Sequence, residues 1–435
     1  MEAVALVAVT VLLGGIVVFL ALWGRKAKEG GELEPGAEKA NGEAFLEKQS
    51  AKKQKLRKPR KEKTQSHNFS HPLLAAALKA HSGNITCLDF SSNGKYLASC
   101  SDDRTVRIWS TKDFLEREHN CMRANVEFDH ATHVRFSPDC RAFIVFLANG
   151  DTIRVFKMTK KNDAFGFSAA PEDFPKRHKA PVINIGIAET GKFVMTASSD
   201  TSILIWNRKG DVLATINTNQ VANAYAAVSP CGRFVGSCGF TSDVKVWEIC
   251  FGKSGEFREV SRAFELTGHS AGVCGFAFSN DSSRMASVSK DGTWKLWKTD
   301  VEYKKQQDPY LLFTGKWAGK EPCRIAFSPD GRVVAIASVC DITVYNAQTG
   351  EVEEEFKSVH GDVISDLAFD INNRFLVSTG DRVIRVFHNS AGYRAAIADM
   401  KDMLKKSTTK GTKDRLEQQI KDAQRALDAL YKQKN

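Results

Sequence analysis

Nowhere in these 435 residues do two cysteines form a C-x-x-C pair; all ten stand as singles, from Cys87 to Cys340. A structural zinc site needs closely spaced thiolates or imidazoles, so this spacing argues against one. Most of the cysteines fall in or beside strand-like runs, as Cys100 does in YLASCS and Cys274 in GVCGFAF. They read as small buried hydrophobes of a reducing compartment, not as a disulfide framework. A glycine-rich phosphate loop, a paired acid and a metal-ligand cluster are likewise missing, which argues against an enzyme, a cofactor and a small-molecule substrate. Long hydrophobic runs are scarce too, because uncharged apolar sequence is concentrated in one stretch, residues 3–23.

That stretch, AVALVAVTVLLGGIVVFLALW, has the length a helix needs to cross a bilayer. A cleaved signal peptide is the competing reading, but signal cores are shorter and no small-x-small site follows. Residues 1–23 are therefore expected to be a retained transmembrane signal anchor. Only Glu2 precedes the span, whereas Arg25, Lys26 and Lys28 follow it. Positive charge stays on the cytosolic side, so everything after Trp23 is expected in the cytosol. Cytosolic placement leaves the N-x-[ST] triplets at Asn68, Asn84 and Asn280 unglycosylated.

The net charge of +11 is unevenly spread. Residues 24–70 are rich in Lys, Glu, Gly and Gln and read as a solvated basic tether. Within it, residues 48–63 carry nine basic side chains against the single Glu62. Lys52, Lys53, Lys55, Arg57, Lys58, Arg60, Lys61 and Lys63 are the candidate polyanion-binding residues. Acidic lipid, RNA or a ribosome would suit them, and a linker extended by its own charge is the bland alternative.

Repetition is the strongest signal. HSGNITCLDFSSNGKYLASCSDDRTVRIW, HKAPVINIGIAETGKFVMTASSDTSILIW and HSAGVCGFAFSNDSSRMASVSKDGTWKLW share one grammar of apolar strands separated by Gly- or Asp-led turns. They begin at His81, His178 and His269 and end at Trp109, Trp206 and Trp297. Looser copies end at Phe156, Trp247, Tyr345 and Phe387, so the terminal aromatics lie 47, 50, 41, 50, 48 and 42 residues apart. A period in the forties with several short strands is the pattern of a propeller blade.

These residues resemble the WD40 family over residues 71–390. The resemblance implies an all-β, seven-bladed propeller in which a His, a Ser or Thr, a turn Asp and a Trp form a hydrogen-bonded tetrad. By position, the tetrads are His81, Ser101, Asp103 and Trp109; His178, Ser198, Asp200 and Trp206; and His269, Ser289, Asp291 and Trp297. Blade seven offers His360, Thr379 and Asp381, with Phe387 in place of Trp. The family's Trp-Asp dipeptide is absent, since Ser110, Asn207, Glu248 and Lys298 follow the tryptophans. A His–Ser–Asp set could suggest a hydrolase. Three repeats carry it at one spacing, however, and no strand–turn–helix nucleophile elbow accompanies it, so the structural role is expected. The last blade lacks a fourth strand, and residues 71–79 are the candidate to supply it, with a short helix as the alternative.

Residues 391–435 are expected to form a helical hairpin, with Ile397, Met400 and Leu404 on one face, a break at 408–412, and Leu416, Ile420, Ala423, Leu427 and Leu430 on the second helix. The combination of span, tether, repeats and helical tail is similar to that of an endoplasmic-reticulum membrane member of the family, and a 21-residue apolar span suits that thinner membrane. The expected function is a scaffold that recruits protein partners to a propeller face on the cytosolic side. An RNA- or ribosome-associating adaptor is the second hypothesis, and a lumenal binding protein the third.

Overall fold

The computed structural model describes residues 67–161 and 164–432. The expected anchor at 1–23, the expected tether as far as residue 66 and its polyanion-binding candidates lie outside the described residues. Among the described residues, no helix is long and apolar enough to cross a membrane.

Seven antiparallel four-stranded sheets follow one another along the chain. Blade 1, for instance, comprises Ile85–Phe90, Tyr96–Ser101, Thr105–Ser110 and Cys121–Asn125, in that order from the innermost strand outward. The second strand of each blade is the most apolar, as in Tyr96–Ser101, Phe143 to Leu147 and Val333–Ser338, because neighbouring blades cover both of its faces. Hydrophobic clusters accordingly span blade pairs: Cys87, Ala98 and Val106 of blade 1 pack with Val134, Phe143 and Val145 of blade 2.

Blade 7 is completed from the amino-terminal side. Its own strands are Asp366–Phe369, Phe375–Thr379 and Val383–His388, and the closing strand Leu74–Lys79 pairs antiparallel with the last of these. A strand, not a helix, forms from this alanine-rich run because the edge of Val383–His388 supplies the hydrogen bonds and Leu78 enters a core with Ile85, Val377 and Ile384. Residues just ahead of the closing strand also pack on the propeller. Phe69 packs edge-on to Phe387, and His71 edge-on to Phe356, wedging the incoming segment between blades 6 and 7.

Polar side chains tie each blade to the next. Asp366 and Ser365 bond Leu88 N–H and Ile85 C=O across the 7–1 junction, at 2.8 and 2.7 Å. Asp89 accepts from Phe136 N–H, Arg135 donates to Asn184, and Asn184 donates to Ala226 C=O. Cys231 N–H to Ser282, Arg284 to Gly331 C=O and Arg324 to Ser365 C=O complete the circuit. Inner strands of blades 1, 2, 3, 4 and 7 line a cavity of about 350 Å³.

Two helices follow, α1 (Ser390–Lys406) and α2 (Lys410–Lys432). The Asn389 side chain caps α1 by accepting from Gly392 N–H. Ala391 and Ala395 join the core shared by blades 6 and 7, while Arg394 holds Glu353, Glu354 and the Tyr431 hydroxyl of α2. Leu416 and Leu427 are buried, with Ile420, Ala423 and Leu430 half-buried, so the seam packs within the hairpin. The break falls at 407–409, slightly before the expected 408–412, and Gly411 lies inside α2.

If the closing strand holds the ring, Leu78→Ala should lower unfolding free energy by about 2–5 kcal/mol, the range for a buried Leu truncation. Urea denaturation of the full chain would measure it; a loss below about 0.5 kcal/mol would show that closure does not depend on this packing.

Candidate functional site

In each antiparallel blade the loop that leads into the first strand and the turn that follows the second lie at the same end of the sheet, and these define the loop face. Each tetrad histidine sits in the loop entering its blade, and its partners sit on the second strand and the following turn. In blade 1, His81 Nε2 is 2.8 Å from Ser99 Oγ, Trp109 Nε1 donates to the same oxygen at 2.9 Å, and His81 Nδ1 is 2.9 Å from Asp103 Oδ2. Because the indole can only donate, Ser99 gives its own proton to His81 Nε2, and the remaining Nδ1–H donates to Asp103. Blade 5 repeats this through His269, Ser287, Trp297 and Asp291.

The hydroxyl assignment from sequence needs correction. Ser99, Thr196, Ser287 and Ser378 are the tetrad residues, not Ser101, Ser198, Ser289 and Thr379. Residues two apart on a strand share a face, so alternation alone could not separate Ser99 from Ser101. Spacing could have done so: His and hydroxyl are 18 residues apart in all four blades. Ser198 and Ser289 instead donate to loop carbonyls of Ala180 and Ala271, and Ser101 accepts from Asp103 N–H. Thr379 Oγ1 is buried without a hydrogen-bond partner.

Two of the four sites depart from this pattern. In blade 3, His178 reaches Asp200 through Ser202, whose hydroxyl is 3.4 Å from the ring and 2.6 Å from the carboxylate. In blade 7 the direction reverses. Phe387 cannot donate, and Arg385 Nη1 donates into His360 Nδ1 at 2.6 Å, so the ring proton sits on Nε2 and is given to Ser378. Arg385 also binds Asp381 and the His67 carbonyl. Sequence reasoning missed Arg385, and it missed two substitutes in the degenerate blades. Gln220 of blade 4 bonds Ser237 through both its backbone carbonyl and its hydroxyl. Asp129 of blade 2 accepts from the Asn149 and Gly150 N–H groups of the facing turn.

The electrostatics match a structural network. Burial lowers the pKa of His81, His178, His269 and His360, with their Asp neighbours opposing it, so the rings are neutral. Burial works against the Asp103 and Asp291 charges, but hydrogen bonds from Thr105, Ser82 N–H and His81, and their blade 5 equivalents, hold each at about 2. The run Gly268–Gly272 does spell G-x-S-x-G, yet it joins two strands and its Ser270 N–H is bound to Asp291. No group of three His, Cys, Asp or Glu among the described residues could hold a metal.

What the loop face does offer is exposed apolar surface. Phe128 is 94 % exposed, Val221 72 % and Phe240 71 %. Phe128 and Val221 both hold φ at +63°, a region costly for side-chain-bearing residues and worst for a β-branched one. Phe240 N–H bonds Ala222 C=O, placing the Phe240 turn beside the Val221 loop.

The family model "WD domain, G-beta repeat" matches residues 73–110, 261–298 and 353–388. A mouse protein, transducin beta-like protein 2, is 68 % identical over 387 residues, covering 88 % of this chain and 88 % of its own length. The chain belongs to the transducin beta-like protein 2 family of WD40 propellers. The human relative of the same name is 67 % identical over 401 residues, covering 91 % and 90 %. Rat apoptotic protease-activating factor 1 is 24 % identical across 72 % of this chain but only 26 % of its own length. As a WD40 propeller of this family, the described part of the chain is a protein-interaction scaffold.

Two outcomes follow from the network. Ser99→Ala strips a partner from both His81 and Trp109 and should cost about 1–3 kcal/mol in chemical denaturation, against about 0.5–1.5 kcal/mol for Ser101→Ala; equal losses would restore Ser101 to the tetrad. Stability should also fall with acidification. Six histidines, those of the four sites plus His133 and His388, are depressed below 6.5 in the fold, so their contribution is complete above pH 6.5 and declines below it. Asp89, raised to about 6, and Asp370, also raised, act in the opposite sense. With six groups against two, the urea midpoint should drop between pH 7 and 5; a flat or rising midpoint would refute neutral histidines. Asp103 and Asp291 add a second loss as pH falls from about 3.8 toward 2.

Proposed function

We propose that the propeller is a non-enzymatic scaffold that recruits protein partners through its loop face to the cytosolic side of the endoplasmic-reticulum membrane, held there by the amino-terminal span. The observation carrying the partner-binding part is the exposed trio Phe128, Val221 and Phe240, the first two held at positive φ and the third on the turn beside the Val221 loop. Asp129 and Gln220 tie those loops to the facing turn of blade 2 and to Ser237 of blade 4, so the apolar groups are displayed on a hydrogen-bonded base. Support for the membrane part comes from the uncharged 3–23 stretch and the basic residues that follow it. A second reading, an adaptor for RNA or ribosomes, is favoured by the density of basic residues in 48–63.

Proximity labelling from the anchored full chain should identify cytosolic partners, and Phe128→Ser with Phe240→Ser should reduce their recovery without changing the unfolding midpoint. Unchanged recovery would move the binding surface elsewhere. Protease added outside intact microsomes should digest the propeller. Asn68, Asn84 and Asn280 are all exposed, so glycans on them together with full protection would place the domain in the lumen. Replacing Lys52, Lys53, Lys55, Arg57 and Lys58 with Gln should weaken ribosome or acidic-liposome binding, most at low salt. RNase sensitivity separates the two; unaltered binding to both makes the cluster a spacer.

A further inference from the structure

We propose that the flank of blade 3 is a docking groove for an extended protein segment that carries one carboxylate side chain among apolar residues. The groove has a volume of about 690 Å³ and opens on the loop face, where Arg177, Lys179 and Asp200 line it. It follows the outer strands Ser202–Trp206 and Val212–Asn217 down to Gly210 and Asp211, on the hairpin between them. A five-residue strand such as Ser202–Trp206 is about 17 Å long, so a similar number of extended residues would run its length.

The polar groups at the mouth are ones that blade 3 leaves over. In blade 1, Asp103 Oδ2 accepts from both His81 Nδ1 and Ser82 N–H, and in blade 5 Asp291 Oδ2 accepts from His269 Nδ1 and Ser270 N–H. Neither bond is made in blade 3. His178 Nδ1 faces the Ser202 hydroxyl instead, and Ser202 bonds only Asp200 Oδ1, through its N–H at 2.7 Å and its O–H at 2.6 Å. Among the described residues, nothing donates to Asp200 Oδ2 and nothing accepts from Lys179 N–H. Burial works against the Asp200 charge, but the Ser202 bonds hold its pKa below the usual carboxylate range. A main-chain donor and an ionised acceptor at one opening suit an extended backbone, which offers both C=O and N–H along its edge.

Side-chain charge narrows the occupant. Arg177 and Lys179 are exposed, and among the described residues neither has a carboxylate within ion-pair distance, whereas neighbouring Lys176 holds Asp151. Asp200 and Asp211 line the same groove, so its lining is neutral in sum. One carboxylate set between the two cations fits that balance. A nucleic-acid strand, charged at every nucleotide, would meet Asp200 and Asp211 as well. Further down the wall is apolar: Leu204 is a buried floor packed with Ile144 and Phe146 of blade 2, and Pro175 and Val212 are exposed beside it.

The groove shares no lining residue with the trio Phe128, Val221 and Phe240, so the two surfaces can fail separately. The test selects phage-displayed random heptapeptides on the full-length, detergent-solubilised protein and measures synthetic copies of the enriched ones by fluorescence anisotropy. Enriched peptides should carry one Asp or Glu beside apolar residues. Changing that acid to its amide should raise Kd about tenfold, as should Arg177→Gln combined with Lys179→Gln. Asp200→Asn should do the same, because it keeps an acceptor for Ser202 but puts an NH2 where the free oxygen stood. Should Asp200→Asn shift the urea midpoint, the exposed Arg177 and Lys179 pair decides alone. Lys298→Gln combined with Lys316→Gln, which removes equal charge from the surface of blade 5, should leave Kd unchanged. Selection without acidic peptides, or equal weakening by the blade 5 pair, would overturn the proposal. So would displacement of the peptide by a single-stranded RNA oligonucleotide through the same Arg177 and Lys179, which would give the groove to nucleic acid. Loss of binding in Phe128→Ser with Phe240→Ser would place the peptide on the loop face, overturning the groove while leaving the partner-binding reading intact.

Discussion

A propeller is a sheet stack bent into a ring, and the ring exists only if its last blade finds a fourth strand. Here that strand is Leu74–Lys79, joined antiparallel to Val383–His388, residues more than 300 positions later in the chain. Loop closure over so long a stretch carries an entropy cost that grows only slowly with length, so one well-packed strand can offset it. The packing is apolar on both sides: Leu78 with Ile85 and Ile384 on one, Leu73 with Phe356 and Phe387 on the other. Without it, Val383–His388 would present an unpaired edge and blade 1 would lose the Asp366 and Ser365 contacts that anchor its inner strand.

Closure explains why blade 7 uses a different polar arrangement. The incoming chain at His67 presents a carbonyl to this site, and Phe387 has no N–H to offer it. Arg385, almost fully buried, satisfies His67 C=O, His360 Nδ1 and Asp381 together, and it lies over the Phe69 ring. A buried guanidinium is tolerable only with partners of this kind. Burial also opposes the Asp381 charge, yet His360 and Arg385 hold its pKa below the normal carboxylate range. The tetrad has thus been converted from a device within one blade into a clasp between the blade and the segment that closes the ring.

The sequence disclosed whatever repeats. Strand alternation, turn glycines and the His-to-Trp spacing revealed seven blades, and the Leu416-to-Leu430 periodicity revealed α2. It concealed substitutions that preserve geometry while changing chemistry. Nothing in the local pattern of blade 4 marks Gln220 as a stand-in for histidine, because an amide can bond Ser237 from a loop of altered backbone. Asp129 inverts the usual direction, with the loop accepting from the turn. The Ser99 and Ser101 confusion is a period-two ambiguity, and the adjacency of Ser378 and Thr379 in blade 7 turned it into a face error. Comparison of all four histidine blades resolves it, since two residues beyond Ser378 stands Gly380, which has no hydroxyl to offer.

The same geometry places both ends of the described chain. His67 Nε2 bonds Ser358 C=O, and Ser358 belongs to the loop carrying His360, on the face where Phe128, Val221 and Phe240 are displayed. The chain therefore enters the propeller on its loop face and turns back along the cleft between blades 6 and 7 to begin the closing strand. The first described residue, His67, lies on that face near blade 7, while α1 packs against blades 6 and 7. Blades 6 and 7 thus hold both ends of the described chain. Blades 1 through 4, where the exposed apolar trio lies, carry neither end. Division of the disc into a held sector and a displayed sector follows from strand order alone, since the residues on either side of the propeller must meet where the ring closes.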